Sequence, residues 1–353
     1  MTTDSVGKLQ GRTLLLRVNA SQEIGTGHFM RCLALAQAWQ DCEGVAFFAT
    51  SEMPLILNSR LQNEKISIHK IDAVIGSEAD AKQTADEARK IKADWVVVDG
   101  YMFSGEYYAA LRCLGLRVLA IDDIAHQARY PVNAILNQNL SANKFAYKDK
   151  IDFSTDLLLG PKFSLQRREF RNVPRRDYRQ PDETMRVLLT FGGADSENLT
   201  GLILTNLIHS AKSSLRVTIA AGSLNPNISQ INETARTAPF PCEVHVDVDN
   251  MAEIMSWADV AITAAGSTIW ELASMGVPSL IAATEQNQIA GLTALARVPY
   301  FRAMLAHELV SADIGQEIMR LLSSTMVKPN IEFDACGAIR VAEYLQSYNK
   351  VRM

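Results

Sequence analysis

The sequence has no uncharged apolar run approaching the roughly 18 residues that a spanning helix needs. Its opening, MTTDSVGKLQGR, carries no apolar core of the sort a secretory signal requires. A cytoplasmic protein without stable membrane insertion is expected. Cysteine is sparse: Cys32, Cys42, Cys113, Cys242 and Cys336 are widely spaced, form no CxxC pair and are odd in number. That pattern argues against a disulfide framework and for buried thiols in a reducing compartment. Neither sign of charge prevails, since 35 lysines and arginines face 39 aspartates and glutamates for a net charge of −4. Without a general field to attract a polyanion, nucleic acid is not an expected partner. No segment repeats at a period of roughly 20 to 50 residues, which removes support for a solenoid. Also missing are HExxH, clustered His and Cys ligands, a P-loop lysine and a GxSxG elbow. These absences argue against a zinc hydrolase, a P-loop NTPase and a serine-elbow hydrolase.

What is present is length and rhythm. At 353 residues the chain exceeds the size at which one hydrophobic core usually stops growing, so two domains are expected. Its first half alternates short β-branched runs (TLLLRV, VAFFAT, SIHKI, WVVVD, RVLAID) with longer amphipathic segments. Alternation of this kind predicts a parallel α/β sheet. WVVVDG and RVLAIDD stay apolar until their carboxyl ends, as strands covered on both faces do, and open sheets bind ligands beyond those ends. The stretch RREFRNVPRRDYRQPDE interrupts the rhythm with charge and two prolines, and places a boundary near Asp182. Strands and helices then resume from MRVLLTFGG to PSLIAAT. The expected fold class is therefore α/β, with two Rossmann-like domains, 1–182 and 183–353, facing across a cleft. The helical spacing of DACGAIRVAEYLQSY allows a last helix to cross back onto the first domain.

The first candidate site is NASQEIGTGH, between the first strand and FMRCLALAQAW. Gly25 and Gly27 let a ligand approach the backbone, but GTG lacks the third glycine of a dinucleotide fingerprint. His28 stands at the helix start, where the positive end of the dipole favours a neutral imidazole able to act as a base. The same ring could instead cap the helix or sit in a domain interface. Arg31, three residues on, shares that helix face and could reach a phosphate or a carboxylate, or lie in solvent. Asn19 and Ser21 could hold a sugar hydroxyl or support the turn. Asp122 and Asp123 end RVLAIDD and could orient His28, bind sugar or terminate the strand.

The second half carries two glycine turns at strand-to-helix junctions. Gly192 and Gly193 precede Asp195, and Gly266 precedes Ser267 and Thr268; both turns could present backbone N–H groups to a phosphate or merely cap helices. Glu271 could accept two ribose hydroxyls, or answer Ser267 or Thr268 in a capping box. Asn287 and Gln288 offer amides to a base, ribose or sugar. Asp247 to Asp249 could hold a metal beside a diphosphate but are expected only to end their strand.

RVNASQEIGTGHFMRCLALA, IDDIAHQ, ILNQN, LLLGPKFSLQRREF, LLTFGGAD, AITAAGSTIWELASMGVPSL and NQ occur in one order that resembles a known family. It is that of the UDP-2,4-diacetamido-2,4,6-trideoxy-β-L-altropyranose hydrolases of the pseudaminic acid pathway, with their spore-coat-polysaccharide relatives. The resemblance implies a GT-B fold, with UDP on the second domain and the sugar facing the first. It implies water attack with inversion at the anomeric carbon, with His28 as general base, Glu271 at the ribose, and the GGAD and AGST turns at the diphosphate. It adds Asn139 and Arg168, with His126, Asn137 and Phe163, as further candidates. Asn19 stands where an acid is commoner in RxDAS, and Ser196 where proline often follows GGAD.

The chemistry is compatible with one base and neither cofactor nor metal. Ordinary glycosidases need an acid to protonate an alkoxide leaving group, whereas a phosphate with a second pKa near 6 leaves unaided. A monomer acting on a UDP-sugar is expected. Two alternatives remain: a GT-B glycosyltransferase using a UDP-amino sugar, and a catalytically silent nucleotide-sugar-binding protein. A transferase with a lipid-linked acceptor should carry an apolar or basic patch on its first domain, and no linear segment of that kind stands out.

Overall fold

The computed structural model describes residues 9–21, 23–174, 184–210, 214–284, 286–289, 291–324 and 333–348. The chain divides into two compact units: Met1–Ile24, His28–Arg168 and Cys336–Met353 form unit 1, and Gly25–Gly27 with Glu169–Ala335 form unit 2. The division falls between Arg168 and Glu169 rather than at Asp182, which lies outside the described residues.

Unit 1 is built on seven strands: β1 (Thr13–Val18), β2 (Val45–Thr50), β3 (Ser67–Lys70), β4 (Trp95–Asp99), β5 (Val118–Ile121), β6 (Ala134–Asn137) and β7 (Asp156–Leu159). They lie in the order β3-β2-β1-β4-β5-β6-β7, with every neighbouring pair parallel. The apolar runs WVVVD and VLAI are buried along their whole length, as strands with helices on both faces must be. Strands β6 and β7 went unassigned in the sequence rhythm. They lie beyond β5, where no amphipathic helical segment separates one short apolar run from the next, so the strand–helix alternation that marks the earlier strands is missing.

Helices α1 (Gly27–Asp41), α2 (Leu55–Asn63), α3 (Glu78–Lys90) and α4 (Gly105–Cys113) follow β1 to β4. Ser77 and Ser104 cap α3 and α4 by accepting from the amides of Asp80 and Tyr107. α1 buries Phe29 and the run Arg31 to Trp39, and packs in one core with Val341, Ala342 and Leu345 of helix Gly337–Ser347. That last helix belongs to unit 1. Trp95 Nε1 donates to the Leu345 carbonyl at 3.0 Å, and a Cβ on Gly337 would stand 2.2 Å from the Ser164 carbonyl oxygen. Only glycine permits so close an approach.

Unit 2 holds β8 (Thr184–Thr190), β9 (Ser214–Ala221), β10 (Cys242–Val246), β11 (Val260–Ala264), β12 (Ser279–Ala283) and β13 (Phe301–Leu305). The order is β10-β9-β8-β11-β12-β13, again parallel throughout. After β10, Asp247 takes a left-handed φ of 52° and accepts from the Ser223 amide, so this aspartate closes a turn. The cysteines are free, but not all are buried: Cys113, at the end of α4, is exposed, and Cys242 and Cys336 are half-buried. Among the described residues no helix is long and apolar enough to cross a membrane.

Candidate active site

Parallel pairing brings the carboxyl ends of three strands of unit 1 together. Val18 pairs with Asp99 and Asp99 with Ile121, so β1, β4 and β5 end side by side. The sheet order reverses between β1 and β4, which is where doubly wound sheets bind ligands. His28, in the first turn of α1, meets Asp99 there. Its Nδ1 lies 2.7 Å from Asp99 Oδ1, and the carboxylate is buried.

Arg31 stands one helical turn beyond His28, on the same face. Its Nε and Nη2 donate to the two oxygens of Asp99, each at 2.6 Å. Nη1 and Nη2 donate to Asp123 at 2.8 and 3.0 Å. One guanidinium thus forks onto two carboxylates, a geometry that lysine cannot reproduce.

This saturation settles the imidazole tautomer. Nη2 has two hydrogens, one given to Asp99 and the other to Asp123, so its 3.0 Å approach to His28 Nδ1 has no hydrogen left to donate. Nδ1 therefore carries the proton shared with Asp99. In the neutral ring Nε2 is then the nitrogen with the lone pair.

The electrostatics agree with ionised partners. Burial pushes the Asp99 carboxyl up, but the Arg31 guanidinium and His28 outweigh it and hold the group well below the usual carboxylate range. Asp123 is lowered in the same way, with burial opposed mainly by Arg31. Arg31 is itself raised, because burial is overcome by Asp123 and Asp99. Burial and then Asp99 push the thiol of Cys32 well up, leaving it a weak donor 3.6 Å from the carboxylate.

Tyr101, in the loop after β4, donates to Asp123 Oδ2 at 2.9 Å, and its ring meets that of His28 edge-on at 5.1 Å. Asn139 braces the same aspartate by donating to its carbonyl at 3.0 Å.

Several expected ligand groups are occupied elsewhere. Asn19 is buried, and its Oδ1 accepts from Arg17 Nη1, Thr50 Oγ1 and the Ser51 amide. Arg17 is itself paired with buried Asp80. Position 19 therefore knots the ends of β1 and β2 together and presents no amide to a sugar. Asp122 accepts from Tyr130, Tyr147 and the Ala125 amide, so it holds the following loop and Asp99 is the carboxylate that orients His28. Arg168 pairs with Asp41 and Glu64, and its amide donates to Gln37. Those partners include the carboxyl end of α1, some 20 Å along the helix from His28 at 1.5 Å per residue. Arg168 is thus a structural clamp. Arg31 reaches carboxylates, not an open phosphate site.

Asp99 and Tyr101 were missed as site residues. The polar end of WVVVDG carried the signal for Asp99, but without the strand register nothing separated it from Asp122 and Asp123.

In unit 2, Gly192 takes a φ of 80°, and Gly193 leads to Asp195. The Asp195 carboxylate accepts from the Leu199 and Thr200 amides, capping helix Leu199–Ser210; burial raises its pKa despite those bonds. Helix Thr268–Met275 starts differently. Ser267 makes no side-chain cap bond, which leaves the turn after Gly266 free of the capping box, and Glu271 is buried in the first turn. Gln288 Oε1 accepts from the Thr284 amide at 3.0 Å, closing its own loop. The Asn287 side chain lies outside the described residues.

Comparison with known proteins extends this picture. Residues 187–326 match the family described as Glycosyltransferase family 28 C-terminal domain. Over 273 residues the chain is 24% identical to an uncharacterised protein of Methanocaldococcus jannaschii, covering 74% of this chain and 54% of that relative. It thus spans about half the length of that protein. Over 292 residues it is 24% identical to the UDP-2,4-diacetamido-2,4,6-trideoxy-β-L-altropyranose hydrolase of Campylobacter jejuni subsp. jejuni serotype O:2, covering 81% and 97% of the two chains.

Among solved structures, Acinetobacter baumannii MurG superposes with a TM-score of 0.64 at 19% identity, over 95% of this chain and 99% of that one. The Staphylococcus aureus MnaA–UDP co-structure gives 0.66 at 12% identity, over 96% and 97%. These likenesses establish the fold class, two parallel-sheet Rossmann-like domains of GT-B type.

Proposed function

We propose that the chain hydrolyses a UDP-linked 2,4-diacetamido-2,4,6-trideoxy sugar, releasing UDP and the free sugar as in nonulosonic (pseudaminic) acid biosynthesis. The observation that carries this reading is the His28–Asp99 pair, with Nδ1 committed to a buried carboxylate and Nε2 left as an acceptor. Nε2 takes a proton from water as the oxygen attacks the anomeric carbon. The C–O bond to the diphosphate breaks with inversion, and the electron pair leaves on UDP. No acid is needed, because the departing phosphate is a stable anion near neutral pH. Asp99 stabilises the imidazolium that forms, and Arg31 keeps Asp99 ionised and in place.

The nucleotide is assigned to unit 2, whose Gly192–Gly193 and Gly266–Thr268 turns offer backbone donors to phosphates, with Glu271 at the ribose. Support comes from the match of residues 187–326 to a glycosyltransferase domain and from the hydrolase name of the C. jejuni relative. Incubation with that UDP-sugar in the presence of EDTA, followed by NMR, tests the proposal. Release of UDP and free sugar by the wild type but not by His28→Ala is expected. Release only when an acceptor is added would replace hydrolysis with transfer, and full activity of His28→Ala would remove the base.

A further inference from the structure

Unit 1 carries an apolar and basic patch that no linear motif announced, on the connection from β6 to β7. Phe145 is 75% exposed and Phe153 fully exposed, at 109%. There a recess of about 540 Å³ opens, its lining including both rings, Ile151, Leu157, Lys144, Lys148 and Asp152. Large aromatic rings in water are costly, and such exposure next to cations marks an interaction surface.

The exposure is built in, because the segment is held from below. Asn143 Oδ1 accepts from the Phe145 and Ala146 amides, fixing a single 3₁₀ turn, Lys144–Tyr147, that faces Phe145 outward. Tyr147 is buried, and its hydroxyl donates to Asp122 at 2.6 Å. Further along, Ile151 bridges to Tyr130, and Thr155 Oγ1 donates to the Val132 carbonyl.

Charge selects the occupant. Asp152 is neutralised by Arg129 at 2.6 Å, and Lys150 turns inward to the Ala125 carbonyl, leaving Asp149 as the other acid of the segment. Lys144 lies over the Phe145 ring at 5.6 Å, and neither Lys144 nor Lys148 has a carboxylate partner among the described residues. A second copy docking by the same patch would bring these ammonium groups together, which disfavours self-association. An anionic bilayer accepts both features, with lysines at the headgroups and rings at the acyl boundary.

We propose that this patch docks unit 1 peripherally onto an anionic phospholipid surface. Docking does not use the His28 site, but a patch of this kind on the first domain is also what a transferase with a lipid-linked acceptor would carry. Vesicle binding and UDP release are therefore scored separately: hydrolysis without vesicle binding overturns the docking alone, and vesicle binding with release only on addition of an acceptor overturns the hydrolase reading alone. Full-length protein is sedimented with phosphatidylglycerol–phosphatidylcholine vesicles and with pure phosphatidylcholine vesicles, at low and high salt. Binding to the anionic vesicles alone, weakened by salt, is expected. It should fall by about tenfold or more in Phe145→Ser/Phe153→Ser and in Lys144→Glu/Lys148→Glu. Both variants change exposed groups, so thermal melts matching the wild type confirm that they are folded. The single substitution Phe153→Ser serves if the double variant melts early. Absence of wild-type binding, equal binding to neutral vesicles, or undiminished binding by folded variants would overturn the proposal. So would concentration-dependent dimerisation abolished by Phe153→Ser without any vesicle binding.

Discussion

His28 Nδ1 lies 2.7 Å from Asp99 Oδ1, and the shared proton leaves Nε2 as the acceptor. Asn in place of Asp99 would offer either an amide donor or a neutral oxygen, and could hold the wrong tautomer with little change in shape. Asp99→Asn should therefore lower kcat for UDP release by about a thousandfold while leaving KM within a few fold. His28→Ala/Asp99→Asn should be no slower than His28→Ala, since the two residues act as a unit. Additive losses in steady-state kinetics would show that Asp99 works independently of the imidazole.

The Arg31 fork predicts a stability effect as well. Arg31→Met leaves the buried carboxylate of Asp99 and the partly exposed one of Asp123 without their cation, and losing the partner of a buried charge typically costs about 3–5 kcal/mol. Arg31→Lys keeps the charge but loses the fork, and should lie between Met and wild type. Urea unfolding gives the ordering. A Met variant as stable as the wild type would mean that the pairing contributes nothing net.

Much of this arrangement was legible in the sequence. The β–α rhythm, the switch-point loop and His28 at a helix start all follow from local pattern, because strand and helix periods are properties of short windows. Asp99 was not identifiable, because several aspartates end apolar strands and only the pairing of β1 with β4 chooses among them. The intramolecular partners of Arg168 were hidden for a related reason: a charged residue in a motif looks the same whether it holds a ligand or its own chain. The lipid-docking patch was hidden because Phe145 and Phe153 are eight positions apart, and only the connection between β6 and β7 sets them around one recess.

The depressed carboxyl groups set a pH window. Asp99 and Asp123 are both lowered in the folded state, so the unfolded chain binds more protons as the medium becomes acid. Their contribution is present above the unfolded value of about 3.9 and is lost as pH falls from there through the folded values. The urea midpoint of the wild type should fall steeply below about pH 4, and the gap to Arg31→Met should narrow with it. A gap that stayed constant on acidification would show that the two carboxylates are not stabilised through Arg31.

Arg168 provides the sharpest separation of structural from ligand-binding roles. Its guanidinium reaches Asp41, Glu64 and the Gln37 carbonyl, and its amide reaches Gln37 Oε1, tying the end of unit 1 to α1. Since the side chain is about a third exposed, solvent screens these ion pairs, and Arg168→Ala should cost only about 1–2 kcal/mol. The loss should appear in the melting temperature, with KM for the UDP-sugar within twofold of wild type at a temperature where both are folded. The opposite pattern, an unchanged melt with KM raised tenfold or more, would return Arg168 to the substrate. It would require the Asp41 and Glu64 pairs to open on binding, which Asp41→Asn should then make easier, lowering KM where a purely structural clamp would leave it unmoved.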